Sequence, residues 1–194
     1  MITLFRTYFY QWPLSCLPLA VLTFIFSYTN RCLMGELLFL VWIQFAVYLL
    51  HQTEEHFLPG GFKHFINKKV FKSSIPNTPF DEADVFWINI PFIWILFPLV
   101  AVMAQHIDIA LGAFLPVFAL VNATTHIVAW FIFRAYNPGL VVSLVLNYPT
   151  GLYALRAMLD SAAVTSGILV VMTGLAIALH IGMVVFAVAR YKRL

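Results

Sequence analysis

The charges in this chain are confined to a few short clusters, and between them lie six stretches that carry no Lys, Arg, Asp or Glu. They are residues 7–30, 37–50, 85–107, 109–133, 135–155 and 161–189. Crossing the hydrocarbon core of a bilayer takes about 20 apolar residues in helical form. Five of the stretches reach that length alone, and 37–50 does so when extended through Met34 and His51. Their apolar residues run continuously rather than alternating, which argues for helices and against a membrane barrel. Only 10% of the 194 residues are charged and 62% are hydrophobic, where a soluble domain carries about 25% charged residues. These features predict an all-α membrane protein, a single domain over 1–194 formed by a bundle of about six transmembrane helices. Disordered, disulfide-framework and ordinary soluble classes are excluded; Cys16 and Cys32 form no CxxC pair. No small-residue cleavage site follows the first stretch, which reads as an uncleaved helix.

Lys and Arg set the orientation. With six spans, one side holds Arg6, Lys63, Lys68, Lys69, Lys72, Arg134, Arg190, Lys192 and Arg193, and the other only Arg31 and Arg156. That bias predicts both termini in the cytoplasm, in a multi-pass protein of the inner (cytoplasmic) membrane. Basic residues form no stripe with interleaved aromatics, so nucleic acid is not an expected partner. The longest polar segment, about 57–84, mixes Phe57, Phe62, Phe65, Ile66 and Phe71 with lysines. It suits a helix lying on lipid headgroups, or a solvated loop.

Ionisable residues inside membrane spans are costly and mark function by default. The second stretch ends in His51-Gln52-Thr53-Glu54-Glu55-His56, the fourth contains Asn122 and His126, and the last contains His180. Residues at i and i+4 share a helix face, so His51 aligns with Glu55, and Asn122 with His126. At 1.5 Å per residue, His51 and His126 lie about 12 Å from their cytoplasmic boundaries, and His180 and Asn147 about 15 Å. Residues far apart in sequence therefore reach one depth, where a bundle can gather them. Three imidazoles with one or two carboxylates suit zinc or iron. The predicted metal ligands are His51, Glu55, His126 and His180, with zinc favoured over iron. Glu54 takes the position of a general base, by analogy with inverted zincin helices. Asn122, Tyr48, Asn147 and Tyr136 are expected behind the ligands or against substrate. Asn147-Tyr148-Pro149 is expected to kink the fifth helix, and Tyr136-Asn137-Pro138-Gly139 to form a turn over the site.

Taken in order, His51-Gln52-Thr53-Glu54-Glu55, Asn122 with His126, Tyr136-Asn137-Pro138-Gly139 and His180 resemble the small bacterial integral membrane proteins named for their HXXEE motif. The resemblance implies a multi-span protein with a polar site built from these residues, and names no reaction. A metal at that depth would lower the pKa of a bound water and meet substrates arriving from the bilayer. The expected activity is hydrolysis of a lipid or amphiphile at the cytoplasmic leaflet. The alternatives are a di-iron carboxylate oxidase, hydroxylase or desaturase, an ion or proton transporter, and a non-catalytic metal-binding protein.

Overall fold

The computed structural model describes residues 10–193, and these are helical with short connections and no strand among them. Six rods account for most of the chain. They are α1 (Trp12–Thr29), α2 (Arg31–His56), α3 (Glu82–His106), α4 (Ile109–Phe133), α5 (140–160) and α6 (Ser166–Lys192). Arg6 and the N-terminal end, which entered the charge count, lie outside the described residues.

Helix boundaries follow local chemistry. Pro13 opens α1 where its missing N–H costs nothing. Asp81 and Asp84 form a reciprocal capping box at the start of α3, with bonds of 2.8 and 3.1 Å. Thr165 caps α6 through the Ile168 amide. Arg134 ends α4 in the left-handed region.

Side-chain contacts show the rods alternating in direction. At one end, Trp12 of α1 lies 5.1 Å from the His56 ring of α2, and Gln52 of α2 bonds Asn89 and Trp94 of α3. There too, Glu54 accepts from the Val141 and Val142 amides of α5, and Arg190 of α6 pairs with Asp84 at 2.8 Å. At the other end, Tyr153 of α5 donates to Glu36 of α2. There also, Gly112 of α4 lies against Val41 and Ala104, so closely that a Cβ would stand 2.5 Å from Val41. The beginning of α1 and the end of α6 thus lie at the same end of the bundle. So do the 57–81 connection and the 134–139 turn.

Five of the rods are long and apolar enough to cross a membrane, and α5 is not among them. Six crossing helices were expected, and α5 accounts for the difference. Its sequence carries Asn147, Pro149, Thr150, Gly151, Arg156 and Asp160, which dilute its hydropathy. Proline removes an amide donor, and residues 143–147 just before Pro149 widen into a π turn. A second π turn, Ile90–Ile95, contains Pro91 of α3. Asn147 and Gly151 of α5 are buried against its neighbours, where the Gln44 amide of α2 donates to the Thr150 carbonyl, while Arg156 and Asp160 pair on the exposed surface.

The apolar core lies between α2, α3 and α4. Phe97 is fully buried among Tyr48 and Phe118, with ring centroids 4.9 and 5.6 Å away. Half of the most apolar window of α2 is buried, against 11% for α6; α2 is therefore the central rod and α6 a peripheral one. The 57–81 connection is a folded strap. Asn67 clasps Phe80 with both amide atoms, Lys63 pairs with Glu82, and Phe65 and Phe80 are buried.

A buried histidine and glutamate cluster as candidate metal site

The site sits directly above the Tyr48–Phe97–Phe118 cluster, where the last two turns of α2 meet the second half of α4. His51, Glu55 and His126 converge there, all buried. Glu55 Oε1 lies 3.5 Å from His51 Nε2 and 3.1 Å from His126 Nε2. Donor atoms around a tetrahedral ion with bonds near 2.05 Å stand about 3.3 Å apart, so these separations match the edges of a metal's ligand shell.

The hydrogen bonds behind the cluster orient it. Asn137 Nδ2 donates to the His126 carbonyl at 3.0 Å, which fixes which amide atom is which. Its Oδ1, 2.6 Å from His126 Nδ1, therefore accepts from that nitrogen. The proton on Nδ1 leaves the Nε2 lone pair of the neutral ring pointing at a carboxylate oxygen. Two acceptors at 3.1 Å repel unless a proton or a metal cation lies between them. Backing of one ring nitrogen while the other faces the metal is usual for histidine ligands.

Gly139 shapes the space above the cluster. A Cβ at this position would stand 2.6 Å from His126 Cε1, 2.7 Å from His51 Cε1 and 3.0 Å from Glu55 Cγ. Its φ of +101° also belongs to the left-handed region. Backbone is therefore laid directly across the three side chains, which only glycine permits. Two imidazoles and a carboxylate under a closed backbone fit a divalent cation in both chemistry and spacing.

The remaining predicted residues fall in different places. Glu54 was expected to face a bound water as general base, and the structure gives it another task. Its carboxylate accepts from the Val141 amide at 3.0 Å, the Val142 amide at 2.7 Å and the Tyr136 hydroxyl at 2.7 Å. Neighbours on a helix point about 100° apart, so while Glu55 turns into the site, Glu54 caps the N-terminus of α5. Burial, and then the hydrogen bond to Glu54, push the Tyr136 phenol well above its ordinary range. His180 shares the depth of the site but stands behind Asn122, with Nε2 3.3 Å from Asn122 Oδ1. Asn122 itself reaches His51 Nε2 at 2.9 Å. Tyr48 packs its ring 5.2 Å from His51. Asn147 is fully buried on the π turn, outside the His51–Glu55–His126 group.

Three contributors were not singled out from sequence. Asn137 and Gly139 were visible only as turn residues. His56 was named only as the last residue of the second stretch, yet its Nε2 is buried 3.5 Å from Glu55 Oε2.

A cavity of about 490 Å³ leads away from the cluster. Polar groups gather at its inner end: Glu55, His56, His126, Asn122 and His180. Apart from Asn89, Thr124, Thr125 and Asn137, the rest of its wall is apolar, drawn mainly from α3, α4, α6 and the strap, including Phe62, Phe65, Ile88, Phe92, Phe133 and Met183. Val128 and Ile132 of α4 and Val184 of α6 line it and are also exposed, so the cavity reaches the outer, lipid-facing surface between α4 and α6.

Fold and site together define an all-helical membrane protein with a buried His/Glu cluster that can hold a metal ion. The family described as protein of unknown function with HXXEE motif matches residues 42–154, which is more than half of the chain and contains all the residues of the cluster. The chain belongs to that family, and His51-Gln52-Thr53-Glu54-Glu55 is the motif. No curated protein and no solved structure matches it.

Proposed function

We propose that this protein is a membrane-embedded, metal-dependent hydrolase acting on a lipid or another amphiphile, with zinc as its ion. The observation that carries the reading is the position of Glu55 and His126, with His51 buried beside them, at a largely apolar cavity that opens between two helices. Two histidines with one glutamate form a ligand set used by catalytic zinc, which keeps a further position open. When bound, such an ion polarises a carbonyl oxygen and makes water a nucleophile near neutral pH.

The chain's own groups supply the rest. The apolar wall holds the chains of the amphiphile and places its polar junction at the cluster. Asn137 keeps His126 Nε2 facing inward. Phe62, whose ring lies 5.6 Å from His126, shields the cluster from bulk water. In hydrolysis a carbon–oxygen bond forms from water, the bond to the leaving group breaks, and a water proton passes to that group. His56 Nε2, beside Glu55 Oε2 and without a hydrogen-bond partner, is an acceptor for such a proton, whereas Glu54 is committed to α5. The basic residues Lys63, Lys68, Lys69 and Lys72 share this end of the bundle, which supports a site facing the cytoplasmic leaflet.

His56 also favours one second reading. Glu55 and His56, whose Oε2 and Nε2 lie 3.5 Å apart, would then help to hold a second cation, as in a di-iron oxidase. Metal analysis of the purified protein separates the two: one zinc per chain supports the hydrolase, two irons the oxidase. Absence of metal after purification without chelators, together with no binding of added Zn²⁺, rejects both.

A further inference from the structure

This inference rests on the metal-site reading above and concerns the fourth corner of the shell. Asn122 lies between two histidines. One amide atom is 2.9 Å from His51 Nε2 and the other 3.3 Å from His180 Nε2. His180 Nδ1 is 2.7 Å from the Ala176 carbonyl, which can only accept, so Nδ1 carries the proton. An imidazolium inside a membrane span is costly, and the neutral ring then presents Nε2 as a lone pair. Facing that lone pair with Asn122 Oδ1 pairs two acceptors. Amide oxygen and nitrogen exchange places by a half turn of the side chain and are distinguished by their partners. The half turn lets Asn122 Nδ2 donate to His180 and points Oδ1 at the space shared by His51 and Glu55.

In that arrangement four acceptor atoms meet: His51 Nε2, Glu55 Oε1, Asn122 Oδ1 and His126 Nε2. They come as two i, i+4 pairs, one on α2 and one on α4. Three separations around the group are 3.5, 3.1 and 2.9 Å, near the roughly 3.3 Å edge of a tetrahedral shell. We propose that Asn122 is the fourth metal ligand through its amide oxygen, and that His180 is a positioning residue that holds the amide oxygen-inward. A neutral amide binds more weakly than imidazole or carboxylate, so this is the corner that substrate displaces.

The test is a double-mutant cycle on the full chain in detergent, reading Zn²⁺ affinity against a competing chelator and the visible spectrum of the Co²⁺-substituted protein. His180→Ala should weaken Zn²⁺ binding by about 10–100-fold, the usual loss for a group that orients a ligand. Asn122→Asp offers oxygen in either orientation, so adding His180→Ala to it should change affinity less than about twofold. Asn122→Ala has no amide to hold, and His180→Ala should be silent there too, which keeps the test valid if Asn122→Asp folds poorly. The Co²⁺ spectrum should change with either Asn122 variant and keep its wild-type form in His180→Ala at saturating metal. An equal loss on removing His180 in all backgrounds overturns the proposal and makes His180 a ligand itself. Wild-type protein that binds no Zn²⁺ overturns the metal reading first, a different result from metal binding without the predicted coupling.

Discussion

Gly139→Ala adds one methyl group at the most crowded point of the site, and its cost can be worked from two terms. The first is backbone strain. A non-glycine residue forced to a φ of +101° costs about 1–3 kcal/mol. The second is overpacking, because the new carbon would stand 2.6–3.0 Å from His126, His51 and Glu55. Inserting a methyl group into a packed interior costs about 1–3 kcal/mol. Together the terms give about 2–6 kcal/mol. If the ligands yield rather than the backbone, the crowding term appears as weaker metal binding, at tenfold for each 1.4 kcal/mol. Gly61→Ala isolates the first term. Its φ is +97°, but the nearest atom a Cβ would meet is 3.9 Å away. Thermal unfolding and Zn²⁺ titration of both variants in the same detergent provide the measurement. Gly61→Ala should unfold earlier and keep wild-type affinity, while Gly139→Ala should lose about fivefold or more in affinity. Equal metal affinity in Gly139→Ala and wild type would refute the placement of this backbone across the ligands.

Four further outcomes are expected. His51→Ala, His126→Ala and Glu55→Gln should each lower bound metal while His64→Ala and His106→Ala do not; retention of full metal by Glu55→Gln would remove the carboxylate from the shell. Glu54→Gln should keep its metal but lose about 1–3 kcal/mol of stability, because its amide nitrogen must face a donor that the carboxylate now accepts; an unchanged unfolding midpoint contradicts the capping role. The raised Tyr136 phenol stabilises the fold while protonated, so its contribution is whole below pH 10 and fades as pH rises through the elevated value. Tyr136→Phe should therefore be less stable than wild type at pH 8 and show a shallower decline above pH 10, and parallel pH curves would count against the Tyr136–Glu54 bond. Reporters fused within residues 68–74 and after Leu194 should both score cytoplasmic; opposite sides would show that α5 does not cross.

The grouping of the cluster was legible in sequence because its residues repeat at a spacing set by helix geometry. His51 with Glu55 and Asn122 with His126 can share a face whatever surrounds them, and depth counted from the nearest polar boundary placed His51 and His126 at one level. Depth says nothing about lateral position, which is why His180 reached the right level while standing one side chain behind the ligands. Glu54 was misjudged because its partners are backbone amides, and amides leave no signature in a sequence. Gly139 announced a turn through Pro138-Gly139, but not what the turn would cover. The apolar stretches located the helices to within a few residues. The helix over 140–160 was harder, since Asn147 and Gly151 are buried against its neighbours while Arg156 and Asp160 pair on its exposed end.

The bond between Glu54 and the start of α5 also has a consequence for assembly during synthesis. The Val141 amide follows Glu54 by 87 residues, and chains elongate at about 5–20 residues per second. The carboxylate thus exists for roughly 4–17 s before its partner has even been made. Throughout that interval α2 must enter the bilayer with an unpaired acid at its end, held at the wet boundary where a charge is tolerated. The arrival of α5 relieves it and in the same movement draws Gly139 over the histidines. The site is therefore closed late, by the arrival of the fifth helix.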